Sequence, residues 1–303
     1  MRSVWSFWSK PFLAGTGWSW RSPLDHLLAW SLSVRLASAH YPDSTLVTDT
    51  PGRALLADAL GLRFGSVSTA LDDLAGADPA LWALGKLVAY SVQDAPFVHL
   101  DTDVFLWRPL PAPVASAPVL AQHVDSFPVT DGCGPRVIED GFRAAGLALP
   151  AEWQWFRSLD PRRYREANLG IFGGTNVAFI RHYARLALDL ALNPAHAGAW
   201  AAMPNRAWLN PTVEQFVLSA CADYHRFAPA SAYRGLYVRY LLPAGTEAYY
   251  PEPARRAGYT HLVGPAKQHA ETMARLASRV RAQDPALYAR CVAVSAAPGT
   301  SGT

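Results

Sequence analysis

Cysteine is scarce: three residues, Cys133, Cys221 and Cys291, are spread over a chain of 303. Odd in number, far apart and without a CxxC pair, they argue against a disulfide framework or a structural zinc site, and for a reducing compartment. Long apolar runs are also missing. No stretch reaches the ~18 uninterrupted apolar residues of a transmembrane helix. The opening MRSVWSFWSKPF lacks the apolar core and small-residue cleavage site of a signal peptide. A soluble, cytoplasmic protein is therefore expected, and its aromatic content leaves peripheral membrane contact open. Charge is thin as well, with 17% charged residues and a net charge of +3. No Lys/Arg block dominates any segment, which excludes the electrostatic footprint of a nucleic-acid binder. The densest basic spot, PRRYR from Pro161 to Arg165, reads as a solvated turn or a local anion contact.

Apolar and aromatic residues are abundant. Half the chain is hydrophobic, with 11 Trp, 12 Tyr and 12 Phe, enough for a large core. SVWSFW alternates and reads as a first strand. SPLDHLLAWSLSVRLASAHY reads as a helix with Ser22 at its N-cap, Pro23 at the first turn, and Leu24, Leu27, Leu28, Leu32 and Leu36 on one face. STLVTDT is a second strand, RALLADALG a helix closed by glycine, RFGSVS a third strand, and DPALWALGKLVAYSVQ a helix opened by Asp78 and Pro79. Strand and helix thus alternate over the first 107 residues, which predicts an α/β fold with a mainly parallel sheet.

The second half is less regular. TDGCGP is a turn cluster, TVEQFVLSACADY a helix with Thr212 as N-cap, and EAYYPE a late strand. AETMARLASRVRAQDPALYARCVAV is helical on both sides of the Asp284-Pro285 break. The chain reads as one domain over 1–295, with halves at 1–110 and 111–295 and a frayed tail at 296–303.

The stretch PFVHLDTDVFLW sets the functional question. It is apolar on both sides of its centre, yet places Asp101 and Asp103 one residue apart at the end of a strand. The i, i+2 spacing puts both carboxylates on one face, and ligands of parallel sheets bind beyond the carboxyl ends of strands. Carboxylates are costly to take out of water unless something positive meets them. Three readings stand. The acids cap a helix or turn; or Asp101 is the nucleophile of a haloacid-dehalogenase-type phosphatase, although DTDVFLW lacks that motif's following Gly or Thr; or the pair holds a divalent metal against a nucleotide diphosphate.

Further motifs occur in order along the chain, and together they resemble the GT-A glycosyltransferases, family eight in particular. LDTDVFL is similar to that family's LDxDxxv. ALGKLVAYS places Lys86 fifteen positions before Asp101. ANLGIFGG is similar to FNxGvml and supplies Asn168 and Gly170. VEQFVL stands where the family has DQDxLN, with Glu214 and Gln215. THLVGPAKQ is similar to HFxGxxKPW and supplies His261, Gly264 and Lys267. Glu in place of Asp at 214 and the missing Trp after Lys267 are departures.

The resemblance implies a GT-A-like fold, with a nucleotide-sugar-binding half followed by an acceptor-side half. It implies a metal site of Asp101, Asp103 and His261, and donor contacts from Lys86, Asn168, Gly170, Gly264 and Lys267. Lys267 and Glu214 carry the implied catalytic roles. The expected cofactor is Mn²⁺ or Mg²⁺; two carboxylates and an imidazole favour Mn²⁺. The expected partners are a nucleotide diphosphate sugar, with a UDP-sugar favoured, and a carbohydrate or lipid-linked acceptor. A GT-A-like binding protein without turnover remains the alternative.

Other residues carry two readings each. Asp49, before Pro51-Gly52, is an Asx turn or a contact to the nucleobase or ribose. Ser6 and Trp8 are core or base contacts. Lys86 points to the site or snorkels to solvent. Gly173 and Gly174 mark a bulge or a close approach by substrate. His123, Asp125 and Asp131 are a solvated loop or acceptor contacts. Trp153 and Trp155 pack or stack on a sugar ring.

Overall fold

The computed structural model describes residues 1–15, 20–130, 132, 134–242, 245, 247 and 250–297. Asp131, Cys133, Ala248, Tyr249 and residues 298–303 lie outside these. These include one candidate acceptor contact, Asp131, part of the expected late strand and most of the expected tail.

Apolar alternation builds the sheet. In β1 (Arg2–Phe7), Val4 enters one core while Trp5 and Phe7 enter the other, as the two-residue period of a strand requires. β1 pairs in parallel with β2 (Ser44–Thr48) on one side and with β4 (Phe97–Leu100) on the other; β2 pairs in parallel with β3 (Ser66–Ser68). β5 (Val104–Leu106) follows β4 but leaves the main sheet. β6 (Val119–Pro128) and β7 (Arg163–Gly174) form a long antiparallel ladder, β7 also pairs antiparallel with β4, and β8 (Val238–Tyr240) runs parallel to β6. The order is β3-β2-β1-β4-β7-β6-β8, so β7 alone is reversed. The expected α/β fold with a mostly parallel sheet is what forms, and the β4–β7 ladder joins the two halves of the chain.

Helices cover both faces. Pro23–His40, Ala270–Gln283 and Pro285–Ser295 pack on the side of Trp5; Leu84–Ser91, Ala151–Leu159, Val177–Leu192 and Val217–Phe227 pack on the side of Val4. Among the described residues no helix is long and apolar enough to cross a membrane.

Several expectations need correction. Ser22 does cap its helix, accepting from Asp25 N at 3.1 Å, but that helix is buried on nearly every side rather than on one leucine face, because two later helices lie against it. The helix expected from Asp78 starts only at Leu84; Asp78 instead caps a turn at Ala80 N and pairs with Arg206 at 2.6 Å. RALLADALG forms a short helix, Thr50–Arg53, that widens into a π-helical turn, Ala54–Ala59. Thr212 is not an N-cap: it opens a second π-helical turn, Thr212–Phe216, ahead of Val217–Phe227. PFVHLDTDVFLW is two strands in two sheets, with the acids at the break between them. Where EAYYPE suggested a strand, a helix, Pro251–Ala257, begins.

The glycine pair is explained by neighbouring backbone. Gly173 and Gly174 have φ of 157° and 142°. A Cβ there would stand 2.0 Å from Phe97 O and 2.3 Å from Pro118 O, so these glycines admit adjacent strands rather than substrate. Gly173→Ala is expected to destabilise by about 3 kcal/mol or more through overpacking and backbone strain. Gly146→Ala, at φ 70° with nothing within 4 Å of the added carbon, should cost only about 1–2 kcal/mol. Urea unfolding of the two variants checks the contrast, and equal losses would refute it.

Candidate functional site

Strand order places the site. From β1 the chain moves outward to β2 and β3, then returns to lay β4 on the other side of β1. Crossovers leave in opposite directions there, which opens a crevice beyond the carboxyl ends of β1 and β4. A cleft of about 850 Å³ occupies that position, lined by Ser6, Phe7 and Trp8 at the carboxyl end of β1 and by His99 to Asp103 at that of β4. Trp20, Trp30, Trp82 and Trp208 add aromatic walls, and Trp208 at the rim is 81% exposed.

His261 reaches the acids through the small sheet. β9 (Tyr259–His261) pairs antiparallel with β5, setting His261 opposite Val104, and Leu262 N donates to Asp103 O at 3.0 Å. Asp101, Asp103 and His261 then each offer a ligand atom within 4.8 Å of the others. Gln122, on β6, fixes the imidazole. Its Oε1 accepts from His261 Nδ1 at 2.8 Å, while its amide nitrogen faces His123 Nδ1 at 3.3 Å. A ring whose one proton sits on Nδ1 turns its Nε2 lone pair toward Asp103 Oδ1, 3.3 Å away. That oxygen is buried and has no hydrogen bond among the described residues. Two acceptors aimed at one point suit a cation, and a ring held by an amide is how proteins orient a metal-binding imidazole. Asp101, Asp103 and His261 fit a divalent ion on this ground.

Two lysines share the charge. Lys86 is buried, with Nζ 3.0 Å from Asp101 Oδ1 and 2.8 Å from Glu214 Oε1. Burial works against its charge, but the Asp101 and Glu214 carboxylates outweigh it and hold its pKa above the ordinary lysine value. Lys267 bonds Asp103 Oδ2 and sits 5.7 Å from the Trp20 ring centre. Burial raises the Asp103 carboxyl, but the Lys267 ammonium overcomes it and leaves Asp103 well below the usual carboxylate range. Removing one partner of such a buried pair typically costs about 3–5 kcal/mol, because a charge is left alone.

The remaining expected residues divide. Lys86 points inward and does not snorkel. Gly264, at φ 53°, lines the cleft with open space beside it. Glu214 is fully buried behind Lys86: Oε1 accepts from Tyr90 OH at 2.9 Å, and burial raises its carboxyl. It positions Lys86 and lines no part of the cleft. Asn168 turns inward on its own strand, its Oδ1 accepting from Gly170 N at 3.1 Å. Gly170 makes room for the imidazole: an added Cβ would lie 2.4 Å from His261 Cε1 and 2.9 Å from Gln122 Oε1. Asp49 is a cap, accepting from Gly52 N at 2.9 Å and from Ser9 N and Oγ at 3.0 and 2.6 Å. His123 and Asp125 pair with each other at 3.1 Å on β6. Trp153 packs on Phe216 and Trp155 on Tyr224.

Four residues emerge that the sequence reading passed over. His26 stacks on Trp20 at 5.7 Å and accepts from Trp30 Nε1 at 3.1 Å; burial, reinforced by Lys267, pushes its pKa down to about 3. The i, i+4 spacing of His26 and Trp30 was its signal. His99 hydrogen-bonds Ser6 Oγ at 2.9 Å, and its i, i+2 relation to Asp101 marked it. Gln122 had no signal beyond its neighbour His123. Glu166 is buried beside Asp125 and Glu214; desolvation and those charges raise its carboxyl to about 7.

The chain belongs to the DUF6734 family, a family of unknown function, whose profile matches residues 1–294. Among curated proteins nothing matches it. The family label carries no activity, so the chemistry rests on the site.

Two outcomes follow. Gly170→Ala should displace the His261 ring from Gln122 and destabilise by about 1–3 kcal/mol, visible in the ring ¹⁵N shifts and in urea unfolding. Gly198→Ala, where nothing lies within 4 Å, is the control; equal behaviour of the two would remove the imidazole-packing role. Glu166 sets a pH dependence. Its folded pKa of about 7 exceeds the unfolded 4.5, so the native state keeps a proton that the unfolded chain loses. Stability from this group falls as pH rises from 4.5 to 7, by about 3 kcal/mol. Glu166→Gln should match wild type near pH 4 and exceed it at pH 8. An unchanged slope between those limits would clear Glu166 of the effect.

Proposed function

We propose that this protein is a metal-dependent glycosyltransferase of GT-A type, moving a sugar from a nucleotide diphosphate donor to a carbohydrate or lipid-linked acceptor. One observation carries the reading. Asp101, Asp103 and a histidine 158 positions after Asp103 converge at the mouth of β4, with Nε2 and a buried carboxylate oxygen facing each other at 3.3 Å.

The electrostatics favour such a ligand pair. Asp101, Asp103, Glu214, Lys86 and Lys267 together carry one net negative charge when ionised, so the site draws a cation first. Once a dication is held, the balance turns positive and suits a diphosphate. A bound divalent ion would supply Lewis-acid stabilisation of the departing diphosphate. The chain's own residues do the rest. Glu214 and Tyr90 fix Lys86, and Lys86 in turn fixes Asp101. Lys267, at the cleft wall beside Gly264, offers its ammonium to the phosphate charge that grows as the sugar bond breaks. Gly264 has no side chain to block the approach of a phosphate. Trp8, Trp20 and Trp82 give flat apolar surface for a base or sugar ring and reduce the water around the reacting charges. Trp208 at the rim offers a stacking surface to an acceptor sugar.

A thermal-shift screen of nucleotide diphosphate sugars with Mn²⁺ tests the reading. A donor at 100 times its dissociation constant should stabilise by about 2.7 kcal/mol, and Asp103→Asn should abolish the shift. With the donor known, Lys267→Ala should lower kcat and kcat/KM together by about a hundredfold, and Lys267→Arg should rescue poorly. Binding without transfer or donor hydrolysis would leave a nucleotide-sugar-binding protein. No Mn²⁺-dependent shift with any donor sinks the proposal.

A further inference from the structure

A second cluster of ligating side chains shares no residue with the cleft and does not depend on the reading above. Three helices build it. Ala151–Leu159 supplies Glu152, Val177–Leu192 supplies His182, and Val217–Phe227 supplies Cys221 and His225. Cys221 and His225 stand at i, i+4, one above the other on a single helix face. His182 Nε2 and His225 Nε2 are 2.9 Å apart. Glu152 Oε1 lies 3.7 Å and 3.5 Å from those same nitrogens. The sulfur of Cys221 and one nitrogen of each ring all fall within 4.8 Å of one another. We propose that His182, Cys221 and His225 bind a transition-metal dication of the zinc class, with the Glu152 carboxylate as the fourth ligand.

The donor geometry is close to what such an ion requires. Zinc bonds of ~2.0–2.3 Å in a tetrahedron set ligand-to-ligand edges of about 3.3–3.6 Å. The carboxylate contacts lie near that range, the two imidazoles stand slightly inside it, and the sulfur, within 4.8 Å of both rings, lies at most about 1.2 Å beyond it. Small side-chain rotations close the difference. A thiolate with two imidazoles is a softer set than Asp101, Asp103 and His261, and selects zinc over magnesium or manganese. The thiolate and the carboxylate together cancel a dication, so the filled site is neutral. That matters because Cys221 is fully buried and the side chains of Glu152 and His225 are mostly so. Ser231 Oγ bonds His225 Nδ1 at 2.7 Å, leaving Nε2 turned into the cluster, the outer-shell arrangement of a ligating imidazole. His182 is about one-third exposed and gives the ion a way in. The bound ion would clamp three helices of one face of the sheet. Cysteine spacing argued against structural zinc, but spacing detects only ligands close in sequence, and this set uses one cysteine and spans three helices.

Cobalt titration of the full chain after exhaustive dialysis against EDTA tests the site. Wild type should take up Co²⁺ with a thiolate-to-cobalt charge-transfer band in the near ultraviolet, and zinc should displace it. Cobalt at the cleft adds no such band, since Asp101, Asp103 and His261 contain no sulfur. Cys221→Ser should remove the band, and His182→Ala, at a partly exposed position, should weaken Co²⁺ binding at least tenfold. If Cys221→Ser does not fold, the His182→Ala affinity decides. Absence of the band in folded wild type, a band of full strength in Cys221→Ser, or unchanged affinity in His182→Ala would each overturn the proposal.

Discussion

Everything at the mouth of β4 depends on keeping buried carboxylates in company. Asp103 is almost out of water and is held by Lys267 and faced by His261; Asp101 shares Lys86 with Glu214. Such charges are tolerated in a low-dielectric site only when paired and hydrogen-bonded. Lys267 therefore holds Asp103 ionised, and Asp103 Oδ1 is left for a ligand. Other features serve this arrangement. The π-helical turn at Thr212–Phe216 carries Glu214 under Lys86, and Gly170 clears the volume that the His261 ring fills.

The aromatic walls act on the same charges. Trp20 and Trp30 hold His26 in a dry setting where its ring stays neutral. A neutral His26 adds no cation to the lysine pair, so the balance of the site stays with the carboxylates. Packing and electrostatics are here one constraint. The tryptophans that shape the cleft also lower the dielectric in which Lys267 and Asp103 interact, which strengthens their attraction.

Strand direction explains why the cleft lies where it does. Six strands of the main sheet point their carboxyl ends one way, and β7, the reversed one, brings Gly170 beside Asp101, whose backbone N–H donates to Gly170 O at 2.9 Å. The small β5–β9 sheet is a second device. It leaves the main sheet at the acid pair and returns with His261, so a short ladder converts a long sequence separation into van der Waals contact.

Local signals in the sequence were enough to determine the alternating first half, the Ser22 cap, the Asp284 break and the two acids at a strand end. Each depends on residues within one or two turns of chain, where periodicity and capping act. The residues His261, Gly264 and Lys267 were legible only as an ordered motif, and their convergence on Asp103 was an expectation. Tertiary structure alone decided the rest. That Glu214 lies behind Lys86 rather than in the cleft, that Gly173 and Gly174 admit strands, and that Gln122 orients His261 all follow from contacts between segments far apart in sequence. No local pattern encodes which partner a buried polar group will find, because that choice is made by the packing of the whole sheet and its helices.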